Sequence, residues 1–147
     1  MGVSETVIGN YLRKNPGHFR IATKAGICRD PATGARHFNN SAEHLRSELE
    51  ASLGRLGVNH VDLFYVHRRE ADRPIEDVTG TLQGFVEEGK IGGFGFSEIA
   101  PSSLRLANAV APLTAVQSEY SLWTRQPELG MVQACGDLGV SLVAFCP

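Results

Sequence analysis

Helical and extended apolar spacings replace one another along almost the whole chain, and this alternation limits the fold more than any other feature. Between residues 4 and 14, Val7, Ile8, Tyr11 and Leu12 recur at helical spacing, and Asn15-Pro16-Gly17 stops the run. Residues 19–24 then read as a short strand, and residues 28–40, with their Gly, Asn, Asp and Pro, as a loop. Ser41 is placed to cap a helix whose Leu45, Leu49, Leu53 and Leu56 form one stripe, and Gly57 ends it. The same pattern returns three times. A strand at 61–67 precedes a helix started by Pro74, with Ile75, Val78, Leu82 and Phe85 on one face. A Gly-rich strand at 91–97 precedes a helix over 101–110, and a strand at 113–119 precedes a helix over 127–138. Both helices also open on proline, whose missing N–H would be unpaired at the first helical position anyway. Gly139 hands over to a last strand at 140–145.

Strands alternating with helices in this way require βαβ crossovers and hence a parallel α/β sheet. Successive strands begin about 22 to 42 residues apart, bracketing the roughly 31 per unit of an eight-fold barrel of ~250 residues. A Rossmann sheet is the competing architecture, but the first strand-to-helix junction, Thr23-Lys24-Ala25-Gly26-Ile27, lacks a GxGxxG turn. The glycines between 89 and 95 precede and fill a strand, so they form no phosphate cradle. The expectation is a partial (β/α)8 TIM barrel, about five consecutive parallel units of the eight, occupying residues 1–147 as one incomplete domain. Five strands cannot close a barrel.

Composition narrows the function. With 14 Lys+Arg against 16 Asp+Glu, 42% hydrophobic and 20% charged residues, the chain resembles an ordinary globular domain rather than a disordered tail or a polybasic nucleic-acid binder. No apolar run reaches the ~18 residues of a membrane helix, and no signal peptide opens the sequence. Residues 1–6 match the myristoylation pattern formally, but Ser4-Glu5 is better explained as the opening of a helix. Three scattered cysteines, Cys28, Cys135 and Cys146, without CxxC spacing, suit a reducing cytoplasmic setting. The histidines show no HxH or HExxH spacing, so no metal site is expected.

In such barrels the C-terminal strand ends carry the chemistry, because their loops converge on one face. Those ends are Lys24, His67, Ser97-Glu98, Gln117 with Glu119, and Phe145-Cys146. Each has an ordinary alternative. Lys24 could be a solvated lysine, His67 a hydrogen-bonded core histidine, and Ser97 and Gln117 partners for buried backbone groups. Tyr65 shares a strand face with His67 one pleat deeper and reads as packing, while Glu119, Trp123 and Arg125 read as loop packing. Together the strand-end residues outline a pocket with one cation, one imidazole and amide-binding groups, which suits carbonyl chemistry better than metal chemistry.

At these residues the sequence resembles the aldo-keto reductases, NADP(H)-dependent (β/α)8 barrels. The resemblance runs from Gly2-Val3-Ser4-Glu5 and Ile8-Gly9 through Ile21-Ala22-Thr23-Lys24 to SELEASLGRLG (47–57) and VDLFYVHR (61–68). It continues through Gly89-Lys90-Ile91 and Gly95-Phe96-Ser97-Glu98, then AVQSEY (115–120) with Ser121-Leu122-Trp123-Thr124-Arg125, and ends on Ala144-Phe145-Cys146-Pro147. The His-Arg, Ser-Glu and Ser-Leu-Trp-Thr-Arg variants resemble the bacterial and plant branch with auxin-induced-type reductases.

The resemblance implies NADPH-dependent reduction of aldehydes or ketones, with a small-molecule carbonyl substrate and neither nucleic acid nor membrane as partner. Lys24 and His67 match two members of the family's Asp-Tyr-Lys-His tetrad. The histidine polarises the carbonyl, and the lysine lowers the pKa of the tyrosine that serves as acid. Ser97 and Gln117 match residues that bind the nicotinamide carboxamide, and Phe145 the aromatic that stacks on its ring. Position 98 usually holds Asn, and the anionic Glu98 cannot supply an amide donor. The family's aspartate and tyrosine belong to a strand that would end at Met1, and no residue here matches them. The chain is thus expected to be the middle of a reductase, inactive by itself. A cofactor-binding or regulatory module, as in the potassium-channel β-subunits that share the fold, is the alternative. So is a structural piece that self-associates or completes its barrel with another chain through open sheet edges.

Overall fold

A computed structural model describes residues 2–147, so Met1, with the strand edge expected there, lies outside the described residues. The chain runs α1 (Val3–Leu12), β1 (Ala22–Ala25), β2 (Ile27–Arg29), β3 (Arg36–Phe38), α2 (Ala42–Leu56), β4 (Leu63–Val66) and α3 (Ile75–Glu87). It continues as β5 (Phe94–Ser97), α4 (Pro101–Val110), β6 (Ala115–Glu119), α5 (Met131–Leu138) and β7 (Ser141–Phe145). The main sheet has the order β1-β4-β5-β6-β7, and every pair in it is parallel. This is the expected open arc of five βα units.

Alternation along the strands separates two faces. Phe64, Val66, Phe94, Phe96 and Val116 point to the helices and are fully buried with Leu45, Leu49, Leu82 and Leu104. Lys24, Tyr65 and Gly95 lie in one register row on the other face. Burial falls away from the centre. All four residues of β5 are buried, whereas β7 is exposed or half-buried throughout.

Local signals account for the helix ends. Ser41 Oγ accepts the His44 N–H at 3.3 Å, and Gly57 closes α2 at φ 70°. Pro101 starts α4 as expected, but Pro74, with ψ 129°, sits one residue outside α3 as its cap.

Two expectations need correction. Residues 28–40 are not all loop, because β2 and β3 pair antiparallel around a turn held by Asp30, whose carboxylate accepts the Ala32 and Thr33 N–H groups. The helix expected over 127–138 is split into a 3₁₀ turn over Gln126–Leu129 and α5, because Gly130 between them takes φ 128°. The apolar stripe of α1 is largely bare: Leu12 is buried, but Val7 and Tyr11 are exposed. α1 meets α2 through Gly9 instead, where an added Cβ would lie 2.5 Å from the Arg55 carbonyl oxygen. Among the described residues no helix is long and apolar enough to cross a membrane.

Candidate active site

Lys24 and His67 reach the same place from neighbouring strands. Lys24 projects from β1, while His67 follows β4 directly, its N–H donating to the Ala25 carbonyl at 2.8 Å. Both line a cavity of about 370 Å³ that the β2–β3 hairpin overhangs. The Lys24 ammonium lies 5.6 Å from the Tyr65 ring centroid and donates to Gln117 Oε1 on β6. Tyr65 fits beneath because its register neighbour is Gly95. A Cβ there would come within 2.9 Å of the Tyr65 ring and 2.1 Å of the Ala115 carbonyl oxygen.

Ser97 is buried at the end of β5 and pairs in register with Gln117. Its hydroxyl accepts from Arg68 Nη1 at 3.1 Å, and the same nitrogen donates to the His67 carbonyl at 2.8 Å. Side-chain bonds thus form two groups, Lys24 with Gln117 and Arg68 with His67 and Ser97, which the Ser97–Gln117 register pairing sets side by side. Phe145 is not part of it. It ends β7 opposite Glu119 and does not line the Lys24–His67 cavity.

Electrostatics set the protonation states. Burial, and secondly the Arg68 charge, push the Lys24 pKa below its ordinary value. Burial lowers His67 too, with help from Lys24, Arg68 and Arg36, so the imidazole is neutral at pH 7. Tyr65 moves the opposite way, since burial pushes its phenol up. A buried phenol with a raised pKa is a poor proton donor, in keeping with its packing role.

Glu98 adopts φ 56°, and its carboxylate accepts the Glu119 N–H at 2.6 Å, joining the ends of β5 and β6. Trp123 corrects the loop-packing expectation, being 95% exposed. Glu119 and Arg125 do serve the loop, accepting from Thr124 and pairing with Glu128 respectively. The residues that sequence reasoning missed are Arg29, Arg36 and Phe38, which the hairpin brings over the cavity. The available signal was two three-residue segments flanking the Asp30–Gly34 turn.

Comparison with known proteins bears on the family and the fold. The Aldo/keto reductase family model matches residues 1–147. The chain is 41% identical over 145 residues to probable aldo-keto reductase 1 of Glycine max, covering 98% of this chain and 42% of that protein. It is 38% identical over 151 residues to the aldo-keto reductase yakc of Schizosaccharomyces pombe, whose name carries NADP(+), covering 99% and 44%. Glycerol dehydrogenase AKR11B4 from Gluconobacter oxydans superposes with a TM-score of 0.89 at 28% identity, covering 97% of this chain and 45% of that one. The chain thus spans less than half the length of these relatives. With the motif residues gathered on one face of a barrel arc and the family model matched from end to end, the chain belongs to the aldo/keto reductase family.

Proposed function

We propose that this chain supplies the carbonyl-polarising and nicotinamide-holding part of an NADP(H)-dependent carbonyl reductase site. The observation that carries the reading is the juxtaposition of the Lys24–Gln117 pair and the His67–Arg68–Ser97 group at the C-terminal ends of neighbouring strands. The fit to a nicotinamide carboxamide is chemical. Ser97 presents a hydroxyl beside Gln117, and among the described residues no hydrogen bond engages the Gln117 amide nitrogen, leaving a donor free. When bound, the nicotinamide supplies the hydride. The neutral His67 ring donates an N–H to the substrate oxygen, drawing electron density from the carbonyl carbon. Lys24 holds a positive charge beside the developing alkoxide. Phe145, at the end of β7, is available to cover one face of the nicotinamide ring.

Among the described residues an acid that completes the reaction has no counterpart on this inner face, since Tyr65 is buried and its pKa raised. General acid catalysis typically contributes 10²–10⁴-fold, so the 147-residue chain alone turns over no carbonyl. Its grip on NADPH is weak, because charge-assisted contacts to the cofactor's phosphates dominate such binding, and the eighth-strand loop to which the family resemblance assigns the adenosine phosphate has no match among residues 1–147.

The test pairs binding with turnover. Reduced nicotinamide mononucleotide should perturb the Ser97 and Gln117 amide resonances, and Gln117→Ala should abolish the effect. Perturbation elsewhere, or none at any concentration, overturns the reading. Nitrobenzaldehyde reduction should stay at the level of Lys24→Met and His67→Ala controls, and turnover near that of a full-length relative would refute the missing acid.

A second reading, a structural piece that completes a barrel with another chain, is favoured by the open outer edges of β1 and β7. The two readings are compatible if the partner supplies the acid.

A further inference from the structure

The cavity above Lys24 and His67 is strongly cationic. Arg29 and Arg36 enter it from β2 and β3 and Arg68 from the end of β4, while Glu48 is the one acid among its described lining residues. Among the described residues, none of the ion pairs includes Lys24, Arg29, Arg36 or Arg68. Arg29 reaches only a backbone carbonyl, that of Gly34, at 3.4 Å, and Arg68 only the His67 carbonyl and the Ser97 hydroxyl. Elsewhere among the described residues Arg46, Arg73, Arg105 and Arg125 each hold a carboxylate, and the unpaired Arg13 and Arg20 stand outside this cavity, which gathers four unpaired cations in one place. Like charges gathered without counter-ions in a concave site repel one another and attract an anion.

From this placement we infer that the cavity selects carbonyl compounds bearing an anionic group, a carboxylate or a phosphate, held by Arg36 and Arg68 while the carbonyl faces His67. The proposal rests on the reductase reading for the carbonyl, but the anion site stands on its own contacts. Guanidinium forks suit both anions, forming paired N–H···O bonds that a neutral ester or aldehyde cannot match. Phe38, beside Arg36 on the hairpin, supplies an apolar wall for the carbon skeleton.

Binding to the 147-residue chain is the test, read by calorimetry and by the His67 ring resonances. Phenylglyoxylate probes the carboxylate, dihydroxyacetone phosphate the phosphate, and methyl phenylglyoxylate the neutral case. At least one anion should bind about tenfold or more tightly than the ester, and the stronger of the two identifies the anionic group. Arg36→Gln and Arg68→Gln should each cost that anion about tenfold, the scale of one charged hydrogen bond. Arg105→Gln, on the outer face of α4, should change nothing. Glu48→Gln should tighten binding. Equal affinity for acid and ester, or indifference to both cavity arginines, overturns the inference. If nicotinamide mononucleotide fails to bind while the arginine-dependent preference persists, the reductase reading falls and the anion site remains; the converse result removes the anion site alone.

Discussion

Lys24 and Gln117 stand on strands separated by two others, yet the lysine ammonium donates a hydrogen bond to the glutamine side-chain carbonyl. The curvature of the arc closes that gap. The bond uses one lone pair of that oxygen and fixes the side chain, so that its second lone pair and its amide N–H groups stay open to a cofactor amide.

Replacing Lys24 should not cost stability. Burial and Arg68 lower its pKa, so the folded state binds that proton less tightly than the unfolded chain, and at neutral pH the charge opposes folding. Lys24→Met is expected to be neutral or stabilising, with any loss below about 0.5 kcal/mol. Urea denaturation measures it, and a midpoint shift equivalent to a larger loss would show that the Gln117 bond outweighs desolvation.

His67 gives stability a pH dependence of definite sign. Its folded pKa lies below its ordinary value of 6.5, mainly through burial. The contribution is complete above the unfolded pKa and is lost as pH falls below it, because the unfolded chain takes up the proton first. Thermal melts between pH 7.5 and 5.5 should show His67→Gln losing less stability than the parent over that ~2-unit interval. Parallel curves would mean that the imidazole is not held neutral.

Gly95 and Gly80 should respond oppositely to alanine. At Gly95 the new methyl group meets a backbone carbonyl and the Tyr65 ring, an overpacking expected to cost about 1–3 kcal/mol. Nothing lies within 4 Å of a Cβ at Gly80, mid-α3, where alanine should add about 0.5–1 kcal/mol. Denaturation midpoints moving in the same direction would contradict the assignment of the inner face.

The strand edges lead to a prediction about assembly. Among the described residues the outer edges of β1 and β7 are unpaired, and Leu122 and Trp123 stand fully exposed in the loop after β6. Such edges and apolar side chains are templates for association. The chain should self-associate at micromolar concentration or bind a complementing fragment, as light scattering can record. Trp123 is the sole tryptophan, so its emission reports directly whether the loop is covered. A stable monomer with both edge strands protected from hydrogen exchange would refute this.

The strand ends were legible because polar residues interrupt apolar strands at places where a barrel core has no use for them. Lys24 and His67 are visible in that way. The hairpin was not, because Ile27–Arg29 and Arg36–Phe38 are too short to show alternation, and its exposed arginines look like ordinary surface residues. Gly130 hid for another reason: a helical apolar period continues across it, while φ 128° is a property of the backbone. The α1 stripe was read correctly as periodic, but periodicity does not reveal whether anything covers it.

Every strand of the main sheet lies beside its predecessor in the sequence. Each pairing therefore closes a loop built around one helix, with the β2–β3 hairpin added between β1 and β4, and the entropy of closure is met in successive steps rather than one large one. During synthesis the chain can add one βα unit at a time to a growing edge, with no earlier pairing broken to admit a later strand. The all-buried β5 lies at the middle of this order. Hydrogen exchange should accordingly find the slowest amides there, with protection declining in both directions along the order of translation.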